Sequence, residues 1–169
     1  MKRKLLLGLL LFSLAKTKAQ VEVSKLIGKN SSDYTIGYGG FLKFSHPVSD
    51  AADVSLEVGA IVFQSKIYDG YGWAVVPVKA GYRYTLNGSG YGFYLEPQAG
   101  YNIYGINVDD NKFTGLILGA GTGYLFKPIG KILFDLGVQY ESAFYGGGSL
   151  NYIALRLTHN FSIGRREEW

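Results

Sequence analysis

The chain has 169 residues, enough for one domain, with 17 Lys+Arg, 13 Asp+Glu and no cysteine. The missing cysteine excludes a disulfide framework, a thiolate nucleophile and a thiolate metal site. Five cations and no acids fall in the first 19 residues, leaving 12 cations against 13 acids, a net of −1, so the overall +4 does not point to a nucleic-acid partner.

Those first 19 residues have the layout of a cleavable leader. Lys2-Arg3-Lys4 form a basic start, Leu5 to Leu14 an apolar run, and Thr17-Lys18-Ala19 puts small residues three before and one before a cut ahead of Gln20. The apolar run is well short of the ~20 residues a spanning helix needs. The expected division is therefore a signal peptide over 1–19 and one folded unit over 20–169.

From Gln20 onward the period is two, not 3.6. Val21 to Ile27 is a weak strand candidate, followed by a polar turn. Tyr34–Ser45 alternates Tyr38, Leu42 and Phe44 with Lys43 and Ser45. Asp53–Phe63 sets Val54, Leu56, Val58, Ala60 and Val62 against Ser55, Glu57 and Gly59. Trp73–Leu86 sets Val76, Val78, Ala80, Tyr82 and Tyr84 against Lys79, Gly81 and Arg83. Ser89–Tyr104 sets Phe93, Leu95, Pro97, Ala99 and Tyr101 against Glu96, Gln98 and Asn102. Phe113–Phe126 sets Leu116, Leu118, Ala120 and Tyr124 against glycines. Lys131–Glu141 sets Ile132, Phe134, Leu136, Val138 and Tyr140 against Asp135, Gln139 and Glu141. Asn151–Ile163 closes the series with Ile153, Leu155, Leu157, His159 and Phe161 against Arg156 and Thr158. Side chains of a strand alternate between faces, so each segment has one apolar and one polar face.

In these seven segments no Lys, Arg, Asp or Glu lies on the apolar face, and the polar face carries Lys43, Lys79, Arg83 and Arg156, with Glu57, Glu96, Asp135 and Glu141, inside the segments. Glycine gathers on that face too. A soluble lipocalin-like barrel would turn the apolar face inward, yet that face holds about three dozen residues, more than an eight-stranded interior can fit. Turned outward, the same face suits lipid, and the small and charged residues suit a narrow lumen. No mature segment is long and apolar enough for a transmembrane helix, and strands cross a membrane only as a closed barrel. Counting Val21–Ile27 gives an even number of strands. The expectation is an all-β, eight-stranded antiparallel up-and-down transmembrane β-barrel, its lumen holding the eight charges.

The connections follow. Outer loops are expected at 28–33, 64–72, 105–112 and 142–150, and inner turns at 46–52, 87–88 and 127–130. Pro77 and Pro97 each remove a ladder donor, so a bulge or broken hydrogen bond is expected near them. Asn87-Gly88 suits a two-residue type I′ turn. That turn would set Tyr84 opposite Tyr91, Gly81 opposite Tyr94 and Lys79 opposite Glu96, and the last two would form a buried ion pair.

Chemical motifs are weak. His159-Asn160-Phe161-Ser162 puts His159 and Ser162 on opposite faces, which does not suit a nucleophile and its base. Gly119-Ala120-Gly121-Thr122-Gly123 lacks the lysine of a phosphate loop and alternates along a strand. Asp109-Asp110-Asn111 is read as a polar turn. The aromatics Tyr68, Tyr71, Trp73, Phe144 and Tyr145 are read as interfacial girdle residues. No cofactor or metal is expected.

FYLEPQAGYNIY from Phe93, TGLILGAGTGYLF from Thr114, the Ala19/Gln20 leader end and the closing strand together resemble the small outer-membrane β-barrel proteins of Gram-negative bacteria. The chain is most similar to the eight-stranded outer-membrane-protein β-barrel-domain, or porin-family-like, group of Bacteroidota. The resemblance implies residence in the cell outer membrane among lipid and lipopolysaccharide. It also implies handling by the barrel-assembly machinery, which reads the last strand; Leu155, Leu157 and Phe161 fit that alternation, and Trp169 is a second terminal aromatic. The expected role is structural, adhesive or envelope-maintaining without enzymatic activity, with a possible envelope protein as partner. A narrow solute pore is the alternative, and a lipid A-modifying enzyme the remote one.

Overall fold

The structure, a computed structural model, describes residues 16–28, 31–67, 72–106, 112–127, 133–146 and 148–160. These form eight strands, β1 (Lys16–Ile27), β2 (Gly37–Pro47), β3 (Ala52–Gln64), β4 (Gly72–Thr85), β5 (Gly92–Ile106), β6 (Lys112–Leu125), β7 (Phe134–Tyr145) and β8 (Gly148–Asn160). Each pairs antiparallel with the next, and β8 closes on β1. The strands run from 11 to 15 residues, ample for a tilted crossing that takes about 9–11. Closure satisfies every ladder and leaves no edge, the condition for a sheet in lipid.

The two faces separate as the alternation requires. Leu42, Val54, Val62, Leu95, Leu116, Leu118, Leu136, Leu155 and Leu157 are exposed on the outside, while Lys43, Glu57, Glu96 and Arg156 are buried inside. No acid lies on the exposed face of any described strand, and its lysines are confined to strand ends: Lys25 on β1 and Lys112 on β6. Phe93, Tyr124 and Phe126 stack edge-on at ring separations of 5.0 and 4.9 Å near the inner rim, as a girdle does.

Several expectations shift. β1 begins at Lys16, ahead of the Val21 start expected for the first strand, and Lys18 and Ala19 pair with both β2 and β8. The outer connection placed at 142–150 is mostly strand, because the β7–β8 ladder continues to Tyr145↔Gly148. Ala143 and Leu150, read as loop, are buried in the lumen.

The tight Asn87-Gly88 hairpin does not form. The reversal between β4 and β5 takes residues 86–91, with positive φ at Gly88, Gly90 and Gly92. Thr85 O accepts from Gly88 N at 3.1 Å, Asn87 Oδ1 accepts from Ser89 N at 3.2 Å, and the ladder restarts at Leu86 N to Phe93 O, 2.9 Å. Three glycines able to hold a left-handed conformation thus spread the turn. The register moves by four residues: Thr85 faces Tyr94, Tyr84 faces Leu95, Gly81 faces Gln98 and Lys79 faces Gly100. Lys79 therefore does not lie opposite Glu96.

The irregularity near Pro77 is a bulge on β5. Val76 faces Tyr104 and Pro77 faces Asn102, leaving Ile103 extra, and the β5–β6 ladder shifts at the same place. Ile103 and Tyr104 are consequently both exposed, and Gly105 turns inward. Around Pro97 the β4–β5 ladder lapses between Gly81↔Gln98 and Tyr84↔Leu95 without a change of register.

Candidate functional site

All eight charged residues singled out in the sequence, Lys43, Glu57, Lys79, Arg83, Glu96, Asp135, Glu141 and Arg156, converge in the lumen, each at most 3% exposed. They meet across the barrel as well as between neighbours. Lys43 bridges Glu57 at 2.7 Å and also Glu96; Lys79 reaches Glu141 and, at 3.4 Å, Glu57. The shifted register lets Arg83 bond Glu96 at 2.9 Å, and the same guanidinium meets Asp135 at 2.6 Å. Arg156 stands between Glu57 (3.7 Å) and Glu96 (3.5 Å). Each carboxylate of this web has at least one cation, the arrangement that makes buried charge tolerable.

Neutral groups fill out the web. Gln98 donates to Glu57 at 2.8 Å, and Gln139 Nε2 lies 2.6 Å from both Gln98 Oε1 and Glu141 Oε1. Tyr94 donates to Asp135 at 2.7 Å while the Arg83 guanidinium lies 3.9 Å from its ring centre. Glu22 and Lys18, both on β1, are also buried in the lumen, giving five acids and five cations among the described residues. Neither belongs to the eight read from the sequence, Lys18 because it falls in the expected leader and Glu22 because its strand is weakly patterned. Counting alternate residues inward from Arg156 across the β1–β8 pairing would have found Glu22.

β6 contributes space instead of charge. A Cβ at Gly123 would lie 2.5 Å from the Tyr94 hydroxyl, one at Gly121 3.0 Å from Arg156 Nη2, and one at Gly119 2.8 Å from Gln139 Nε2. The glycine ladder of the sequence is thus the wall over which the longest lumenal side chains lie.

Above the charges, toward the outer loops, the lumen becomes apolar. Leu26, Phe41, Ile61, Phe63, Val75, Ile117, Leu150 and Tyr152 form a buried cluster with Trp73, and Phe113, Tyr145 and Tyr34 pack on it. Trp73, Phe113 and Tyr145 form a triad with all three ring separations between 5.3 and 5.4 Å. Tyr152 joins the two layers: its ring packs 5.5 Å from Phe63 and its hydroxyl donates to Glu141. This plug corrects the girdle reading of Trp73 and Tyr145, whereas Phe144 is exposed on the outside. Tyr68, Tyr71, Asp109-Asp110-Asn111, Phe161, Ser162 and Trp169 lie outside the described residues. Following the polar parity to the strand ends, through Ile61, Phe63, Val75 and Ile117, would have revealed the plug.

His159 packs on Phe134 at 5.3 Å, the two rings facing each other across the β7–β8 ladder. Among the described residues no grouping of His, Asp and Glu has the arrangement of a metal site. Through Lys43, Lys79, Arg83 and Arg156, on β2, β4 and β8, the web cross-links carboxylates carried by β3, β5 and β7.

No family model matches the chain, and no curated protein matches it. Solved structures do. Neisserial surface protein A aligns at a TM-score of 0.64 with 14% identity, covering 88% of this chain and 97% of that one. The attachment invasion locus protein Ail of Yersinia pestis aligns at 0.58 with 16% identity, covering 87% and 97%. A second Ail structure, in complex with the heparin analogue sucrose octasulfate, aligns at 0.57 with 15% identity, covering 87% and 97%. At these identities the likeness is one of fold, and the fold is that of the small eight-stranded outer-membrane β-barrels.

Proposed function

We propose that this chain, an eight-stranded barrel of the outer-membrane type, acts through its outer rim and lipid-facing wall, in an adhesive, structural or envelope-maintaining role without enzymatic activity. The observation that carries this reading is the filling of the lumen among the described residues, a balanced charge web below and an aromatic plug above. Small barrels have interiors that side chains just fill, and here they do. Among the described residues, one side of the outer rim is cross-tied. Thr35 N bonds Gln64 O at 2.9 Å, Lys66 N bonds Asp33 O at 2.8 Å, and the Lys66 ammonium donates to Ser32 O at 2.9 Å, tying the first outer loop to the second. Lys25 anchors the first loop again through Ser31 O and Tyr34 O.

The environment that fits is the outer membrane, with lipid and lipopolysaccharide around the wall, the barrel-assembly machinery during biogenesis, and an envelope or surface partner at the rim. The attachment named for Ail favours the adhesive form. A narrow pore would require both lumenal layers to part, and a lipid A-modifying enzyme would require a catalytic pair on the outer wall.

The test is a strain lacking the gene, complemented with the intact chain, scored for surface adherence, detergent resistance, small-solute uptake and lipid A mass profile. Loss of adherence or detergent resistance with unchanged uptake and lipid A is expected. Slowed uptake in an intact envelope, or altered lipid A acylation, would overturn the reading.

A further inference from the structure

The two lumenal layers are held in different ways. The charge web is fixed by side chains from the middles of strands, including Lys43, Glu57, Lys79 and Glu96. The triad is fixed at strand ends. Trp73 is the second residue of β4, Phe113 the second of β6 and Tyr145 the last of β7. Each therefore stands at the root of a different outer connection: 65–71, 107–111 and 146–147.

Edge-to-face and tilted aromatic pairs are worth about 0.5–1.5 kcal/mol each beyond their area, so the triad holds firmly only while all three roots stay in place. Ser24 lies farther in, on β1 between the buried Glu22 and Leu26 of the plug, its hydroxyl donating to Glu22 at 2.9 Å. Ser45 lies at the opposite end, beside a cavity at the inner mouth that Asp50, Asp53 and Ser89 also line.

We propose that the Trp73–Phe113–Tyr145 triad is an aromatic gate, the barrier that separates external solute from the polar lumen at Ser24. It opens when any one loop root is displaced. Its placement couples the outer rim to the lumen: whatever moves the root of a loop also moves a ring of the seal. This holds whichever role the rim performs, because it concerns only what the three rings exclude.

The absence of native cysteine allows a direct test. Ser24→Cys and Ser45→Cys are made separately, folded into lipid nanodiscs that leave both mouths open, and exposed to a charged methanethiosulfonate reagent. In the otherwise unaltered barrel, Ser45→Cys should label and Ser24→Cys should not. Adding Trp73→Ala, or independently Tyr145→Ala, should make Ser24→Cys label, while Trp73→Phe should keep it protected. Folding of each variant is checked by its strand circular dichroism and by the mobility of the unheated barrel on gels. If one alanine variant fails to fold, the other carries the test. Labelling of Ser24→Cys in the unaltered barrel would overturn the proposal. So would continued protection in a folded alanine variant whose thiol reacts once the chain is denatured.

Discussion

The hydroxyl of Tyr94 occupies the space that a side chain at Gly123 would need: a Cβ there would lie 2.5 Å from that oxygen and 2.4 Å from the Leu136 carbonyl. Tyr94 cannot simply swing aside, because it donates to Asp135 and stacks beneath Arg83. Gly123→Ala should therefore destabilise the barrel by about 1–3 kcal/mol, the usual cost of overpacking. Urea unfolding in detergent micelles measures it. At Gly40, on the outer wall, an added Cβ would meet nothing within 4 Å, so Gly40→Ala is the matched control and should cost far less.

Arg83 and Glu96 should show strong energetic coupling. Removing one member of a buried pair leaves an orphaned charge, at about 3–5 kcal/mol, whereas removing both is milder. A double-mutant cycle with Arg83→Met and Glu96→Gln should give a large non-additive term. The corresponding cycle with Lys79→Met and Glu96→Gln should give a smaller one, since these two are linked only indirectly, through Glu57 with Lys43 or Arg156 and through Gln98. Equal couplings in the two cycles would contradict the four-residue shift of the β4–β5 register.

These two cycles also mark where the sequence is legible and where it is not. Parity is intrinsic to a strand, so the inward direction of Lys79 and Glu96 follows from alternation alone. Register is not intrinsic. It depends on how many residues the turn consumes, and the glycines at 88, 90 and 92 compete with Asn87 to set that length. The bulge at Ile103 is foreseeable only as something near a proline, because Pro77 lacks a donor but does not choose which strand takes the extra residue. The plug escapes a reading of the sequence for a different reason: attention to charge on the polar face passes over the apolar residues that share its parity at the outer ends.

Leu118 and Phe63 provide a contrast between the two kinds of apolar position. Leu118 is exposed on the outer wall, and Leu118→Arg should cost about 2–4 kcal/mol in a phospholipid bilayer near mid-depth. Phe63 is wholly buried in the plug, and Phe63→Ala should cost about 3–5 kcal/mol because the lumen cannot collapse around the gap. Phe93→Ala on the outer wall should cost less, since lipid can fill the space. Reversible unfolding in lipid vesicles would rank all three.

Planar-bilayer recordings of the purified barrel should show no large, steady single-channel current. The expectation rests on the paired charges and on the rings above them. Sustained large currents from folded protein would favour the pore reading.

Seven of the eight ladders join strands adjacent in the chain; the eighth joins Lys18 to Asn160 and Ile27 to Asn151. A contact so distant in sequence forms slowly, because the whole intervening chain must first be placed. Until it forms, β1 and β8 each present a row of bare N–H and C=O groups, and in hydrocarbon every such group costs several kcal/mol. A seven-ladder sheet therefore has no comfortable resting place in the bilayer. Seam closure and membrane insertion should proceed as a single kinetic event, timed by the arrival of the last strand.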